Sequence, residues 1–172
     1  MSLGKLAFRR LGGGIFEISE SASRVLAEHL QKGERADEAG GMLLGRHILD
    51  SGDFVVDRAT TPQPEDTKSR YRFFRAKSPG QRTVNAVWHA SHGTENYLGE
   101  WHTHPEDSPT PSQVDLDDWQ RIARTTVREE ATLFFLILGR REAKVWEAIP
   151  TQTEKRRPAW RLMAIERLPS SS

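Results

Sequence analysis

The sequence predicts an α+β fold from two observations: helix and strand signals are mixed along the chain, and neighbouring strand candidates are joined by short turns. A third supports it. Leu133–Leu138 is an unbroken apolar run with the length of a buried strand, well short of the ~20 residues a membrane-crossing helix needs. With 172 residues, the chain fits one domain, residues 1–172, with room for a substantial core.

In chain order, Ile15–Ile18 is a short strand behind the flexible Gly12-Gly13-Gly14. Ser19 or Ser21 caps a helix running to about Lys32, with Val25, Leu26 and Leu30 on its apolar face and Gly33 as its stop. Gly40–Leu49 and Phe54–Ala59 read as strands joined by the hairpin connection Asp50-Ser51-Gly52-Asp53. Thr61–Asp66 is a loop, and Tyr71–Arg75 reads as another strand. Pro79 suits the first turn of a helix reaching about Ser91, which Gly93 ends. Tyr97–Thr103 is the next strand, and Pro105, Pro109 and Pro111 then enforce a loop. A helix from Ser112 to about Thr126 follows, then strands near Thr132–Leu138 and Lys144–Ile149. Arg156–Leu168 fits strand or helix, and residues 169–172 are expected to be disordered.

Composition excludes several classes. The chain has no cysteine, so disulfides and thiolate metal sites are out, which fits a cytoplasmic protein. No basic-then-apolar leader opens it, and no membrane partner is expected. A net charge of +1 gives no global reason to bind nucleic acid. One local exception stands out: Lys68, Arg70, Arg72, Arg75, Lys77 and Arg82 occur without an intervening acidic residue. That segment reads as a solvated face, with a binding patch for an acidic partner as the alternative.

The densest chemistry lies in Gly99-Glu100-Trp101-His102-Thr103-His104-Pro105 and Pro111-Ser112-Gln113-Val114-Asp115. On a strand, His102 and His104 project from the same side. A loop that returns Asp115 to that side supplies a third ligand and leaves one tetrahedral position for water, the donor set of a catalytic zinc ion. Ser112-x-x-Asp115 also reads as a capping box, with Ser112 at N-cap and Asp115 at N3. The two readings are compatible, because a helix's first turn holds both side chains at a defined angle to the strand. A hydrolytic site also needs a base, and the candidates are Glu38, Glu100, Glu106 and Asp107. Glu100 shares the His102 face one pleat along, Glu38 opens a glycine-rich strand, and Glu106 and Asp107 sit in the loop. Spacing leaves Glu38 and Glu100 both open. Trp119, with Leu116 and Ile122 on one helix face, reads as core. His89 and His92 are helix neighbours with no carboxylate arranged beside them, so they are not taken as a second metal pair.

The ordered set Glu38-Ala39-Gly40-Gly41-Met42-Leu43-Leu44-Gly45, His102-Thr103-His104-Pro105, seven intervening residues, Ser112 and Asp115 resembles the signature of the JAB1/MPN/Mov34 (JAMM) metalloprotease family. Its wording around His102 is similar to the compact bacterial JAB-type branch, which includes deconjugating proteases encoded beside E1- and E2-like enzymes and those of CBASS operons. The resemblance implies a single MPN domain: a curved, mostly antiparallel or mixed sheet flanked by helices. It implies one Zn2+ per chain on His102, His104 and Asp115, with water as fourth ligand. Glu38 would be the general base that then protonates the departing nitrogen, and Ser112 would donate to the oxyanion. The implied activity is hydrolysis of the peptide or isopeptide bond after the C-terminus of a ubiquitin-like protein. Its partners would be that protein or its conjugate, and E1/E2-like operon proteins. The alternatives are a peptidase processing a sulfur-carrier or ubiquitin-like precursor, and a non-catalytic MPN scaffold, which the intact ligand set disfavours. Gly40 departs from the cysteine many relatives carry there, a difference expected to affect packing rather than chemistry.

Overall fold

The computed structural model describes residues 4–33, 35–126, 132–151 and 159–169. Along them run β1 (Leu6–Arg9), β2 (Ile15–Ile18), α1 (Glu20–Glu28), β3 (Gly40–His47), β4 (Phe54–Ala59), β5 (Thr67–Ser69), β6 (Arg72–Phe74), α2 (Lys77–Ala90), β7 (Asn96–Thr103), α3 (Gln113–Thr125), β8 (Leu133–Leu138), β9 (Ala143–Thr151) and β10 (Ala159–Arg167). Eight strands close into a barrel in the order β1-β10-β9-β8-β7-β3-β4-β2, and β5 and β6 form a separate hairpin. The sheet is mixed: β2–β4 and β7–β8 pair parallel and the other barrel neighbours antiparallel. Among the helices, α1 packs against β4, α2 against β7 and α3 against β10.

β8 is apolar at every position because both of its faces are covered. Phe134, Leu136 and Leu138 join Phe8, Phe16, Leu43 and Val145 in one cluster, while Leu133, Phe135 and Ile137 meet Trp119, Ile122 and Trp146 in another. All six β8 side chains are fully buried, each worth roughly 1.5–3 kcal/mol. Trp119 does pack as core, stacked on Phe135 with ring centroids 4.8 Å apart.

The structure departs from the sequence reading at several elements. β1 was not anticipated, although Leu6 and Phe8 are buried while Arg9 is exposed, the period of a strand. Ser19 caps α1 as expected, but the helix stops at Glu28 rather than near Lys32. The residues beyond are used otherwise: the His29 ring lies 5.7 Å from Trp101, and the Gln31 amide donates to the carbonyls of Ala36 and Arg70. The ambiguous tail is a strand where described, β10 pairing antiparallel with β9. Residues 156–158 of that tail, and Ser170–Ser172 of the expected disordered end, lie outside the described residues. Gly99 is required by geometry: at φ 151° a Cβ there would stand 1.7 Å from the Phe134 carbonyl oxygen. This close approach carries β7, and the histidines at its end, hard against β8.

Candidate metal centre

Two strand registers assemble the site. β3 and β7 are antiparallel with Gly40 opposite His102, and the pairing continues one step further. Thr103 N–H donates to the Ala39 carbonyl at 2.8 Å, and Ala39 N–H donates to Thr103 Oγ1 at 3.0 Å. Glu38 therefore comes to rest beside His104, with Oε1 3.8 Å from Nε2. His104 is in turn fixed to β8, its N–H donating to the Leu138 carbonyl at 2.9 Å. Gly40 has the packing role anticipated for it: a Cβ there would meet Phe73 of the β5–β6 hairpin at 2.3 Å. Thr103, which sequence reasoning missed, locks the Glu38 segment through its hydroxyl.

His102, His104 and Asp115 converge, and one donor atom from each lies within 4.8 Å of the others. His102 Nε2 is 3.0 Å from His104 Nε2, and the two rings lie 3.4 Å from Asp115 Oδ1 and Oδ2 respectively. Bonds of about 2.0–2.1 Å from a tetrahedral ion would put its donors roughly 3.3–3.4 Å apart. Two imidazoles and a carboxylate at these separations fit a divalent cation. His102 and His104 are buried and Glu38 is 3% exposed.

The capping box read from Ser112 and Asp115 is present, and it leaves Asp115 beside the two histidines. Ser112 is the N-cap of α3: Asp115 N–H donates to its Oγ at 3.2 Å, while Ser112 N–H donates back to Asp115 Oδ2 at 2.6 Å. The Ser112 hydroxyl also donates to Oδ2 at 2.7 Å. The capping box thus aims the carboxylate, with Oδ1 toward His102. The oxyanion contact read from the resemblance would require this hydroxyl to leave Asp115 for substrate.

Electrostatics sharpens the roles. Burial pushes the Glu38 carboxyl up to about 8, against the pull of His104. Burial lowers His102 to about 4, leaving the neutral ring that a metal requires. Burial works against the charged form of Asp115, yet its hydrogen bond with His104 and those from Ser112 hold it well below the usual carboxylate range. His104 is raised despite its burial, because Asp115 and Glu38 favour the imidazolium.

The remaining carboxylates are committed elsewhere. Glu100 Oε1 accepts from Arg75 Nε and Nη2 at 3.0 and 2.6 Å and from the Tyr97 hydroxyl at 3.1 Å. Arg75 is a partner no local pattern announced. Asp107 pairs with Arg140 and Arg141 across the β8–β9 turn. Glu106 accepts from Thr110 N–H at 3.0 Å and stands 3.9 Å from His104 Nδ1, where it faces the ring's other nitrogen. Buried and 3.8 Å from His104 Nε2, Glu38 is the candidate base that reaches the cluster.

Fold and site together define a JAB-domain protein. Residues 19–161 match the family of prokaryotic homologs of the JAB domain, Prok-JAB, and the chain belongs to that family. Three bacterial relatives, each named "CD-NTase/cGAS isopeptidase", are similar to it. The Pseudomonas aeruginosa protein is 36% identical over 73% of this chain and 78% of its own length. The Vibrio cholerae protein is 36% identical over 61% and 64%. The Escherichia coli protein is 31% identical over 80% and 84%. The solution structure of protein DSY2949 from Desulfitobacterium hafniense shares the fold, with a TM-score of 0.50 at 23% identity over 77% of this chain and 83% of that one. The resemblance read from the sequence, to a bacterial JAB-type branch, is therefore correct.

Proposed function

We propose that this chain is a zinc-dependent isopeptidase that hydrolyses the bond after the C-terminus of a protein conjugated in the manner of a ubiquitin-like modifier. The relatives' names favour a CD-NTase/cGAS-type protein as the one released. The observation that carries the reading is the convergence of His102, His104 and Asp115 with the buried Glu38 3.8 Å from His104.

His102, His104 and Asp115 would hold Zn2+, which when bound lowers the pKa of water and polarises the scissile carbonyl. Glu38 takes the proton of the attacking water and delivers it to the departing lysine nitrogen. A carboxyl with affinity for a proton near neutral pH suits both halves of that transfer. Asp115 is held in its ligating orientation by Ser112, whose hydroxyl, when it swings to substrate, meets the developing oxyanion. Thr103 keeps Glu38 and His104 in register.

The test is Glu38→Gln, followed by zinc quantification and cleavage of a defined isopeptide conjugate. Turnover should fall by about 10^2–10^4 while zinc remains bound, the contribution expected of general acid–base catalysis. Near-normal cleavage by that variant would send the base role elsewhere. A linear fusion assayed beside the conjugate separates deconjugation from precursor processing, and wild-type protein purified without chelator and free of zinc would favour a scaffold.

A further inference from the structure

The proposed chemistry leaves the basic run from Lys68 to Arg82 unexplained, and the structure divides it. Arg75 turns inward to Glu100, an ion pair at 2.6 Å. The other five cations form no ion pair with an acidic side chain among the described residues. Of these, Lys68, Arg72, Lys77 and Arg82 are exposed and Arg70 is half-buried. Two are held in place by aromatic rings: Arg70 lies over Tyr71 at 5.2 Å and Arg72 over Phe74 at 5.4 Å. A stacked guanidinium keeps the donors on its edge available to a carboxylate.

Two of these cations, Arg72 and Lys77, line the approach to the candidate metal centre. The hairpin is fastened to the general base, Glu38 N–H donating to the Ser69 carbonyl at 2.8 Å. Tyr71, Arg72, Phe73 and Phe74 line a narrow cleft together with His102 and Asp115. That cleft shares Phe74, Glu100 and Asp118 with a cavity of about 420 Å³ between α2 and α3, where Lys77 sits. The acidic groups lining the route are already neutralised, Glu100 by Arg75 and Asp118 by Arg121, while Asp115 faces the histidines. The route's uncompensated charge is therefore positive. At the start of α2 the Asp66 carboxylate accepts from Ala76 N–H at 2.8 Å, and the first turn itself carries Lys77 and no acidic residue.

We infer that the β5–β6 hairpin and the start of α2 select a substrate tail bearing acidic side chains a few residues upstream of the cleaved bond. An extended tail with its last carbonyl at the metal centre runs past Arg72 first and Lys77 next, and its carboxylates pair with both. The inference rests on the isopeptidase reading and makes it specific.

The test uses the full chain and three fluorescein-labelled octapeptides identical except at two positions upstream of a small C-terminal pair, where they carry glutamate, glutamine or arginine. Fluorescence anisotropy at low salt should show the acidic peptide binding about tenfold tighter than the basic one. The gap should close in half-molar salt, because pairs at this exposure are screened. Arg72→Glu with Lys77→Glu should reverse the order, and Arg72→Gln with Lys77→Gln should abolish it, with circular dichroism unchanged in both. Equal binding of the three peptides, tighter binding of the basic one, no binding of any, or a preference that survives the double charge reversal would each overturn it. So would a short single-stranded DNA that outcompetes the acidic peptide. Cleavage of conjugates with the same three tails separates the two readings. A wild type that cuts none sinks the isopeptidase, and one that cuts all three equally sinks only the tail preference.

Discussion

Ser112→Ala tests whether the capping box and the metal centre are one device. The substitution removes the oxygen that accepts from Asp115 N–H at 3.2 Å and the hydroxyl that donates to Asp115 Oδ2 at 2.7 Å, but leaves the backbone bond from Ser112 N–H. Losing the N-cap costs about 1 kcal/mol. For a chain of this size that is roughly 2–4 °C in Tm, readable by thermal unfolding of the zinc-free protein. Losing the group that orients a ligating carboxylate costs about 10–100-fold in metal affinity. Zinc competition against a chromophoric chelator measures that directly. Ser112→Thr keeps a hydroxyl at the N-cap and should recover most of both. Catalysis should fall further than zinc affinity explains, once the sites are saturated with metal, if the hydroxyl also meets the oxyanion. A variant with wild-type stability and zinc affinity, yet impaired turnover, would refute the coupling and leave Ser112 a substrate contact alone.

Two further outcomes are expected. Zinc at about 100 times its Kd should stabilise the chain by roughly 2.7 kcal/mol, a Tm rise of about 5–11 °C that chelator removes and that His102→Ala with His104→Ala abolishes; an equal rise in that variant would place the metal elsewhere. Glu147 is fully buried and accepts from Arg10 Nε and Nη2, Thr132 Oγ1 and Leu11 N–H, so Glu147→Ala should cost about 3–5 kcal/mol in urea unfolding by stranding Arg10. A loss below about 1 kcal/mol would show that the Arg10 stacking on Phe54 and Phe134 suffices without the carboxylate.

What was legible in the sequence is what local geometry encodes. The alternation of a strand places His102 and His104 on one side, and the spacing of a capping box fixes Asp115 relative to Ser112. Both are decided within a few residues, and both appear in the structure. Glu38 could not be preferred over Glu100 from spacing, because its position depends on the antiparallel register of Gly40 with His102, more than sixty residues away in sequence. Barrel closure was illegible for the same reason: β1 meets β10 across nearly the whole chain, and a four-residue strand offers two buried side chains as its entire signal. α1 carried a helical pattern past its real end, and tertiary contacts of His29 and Gln31 overrode it.

The two glutamates differ in how the fold treats a buried carboxyl, and the proposed base is the less satisfied of them. Both are withdrawn from solvent within two residues of a barrel strand or on it, and burial works against the charged form of each. Glu100 is given a guanidinium and a phenol, so its Oε1 takes three hydrogen bonds and its charge is balanced inside the fold. Glu38 is given a histidine at 3.8 Å that is itself pulled toward Asp115. The fold leaves its carboxyl without a guanidinium, which costs stability, and in the proposed mechanism the same shortage of partners would let it take a proton near neutral pH and release it. Had Arg75 reached Glu38 instead, the barrel would be more comfortable and the site would lack a base. The catalytic assignment therefore follows less from where carboxylates lie than from which of them the fold declines to satisfy.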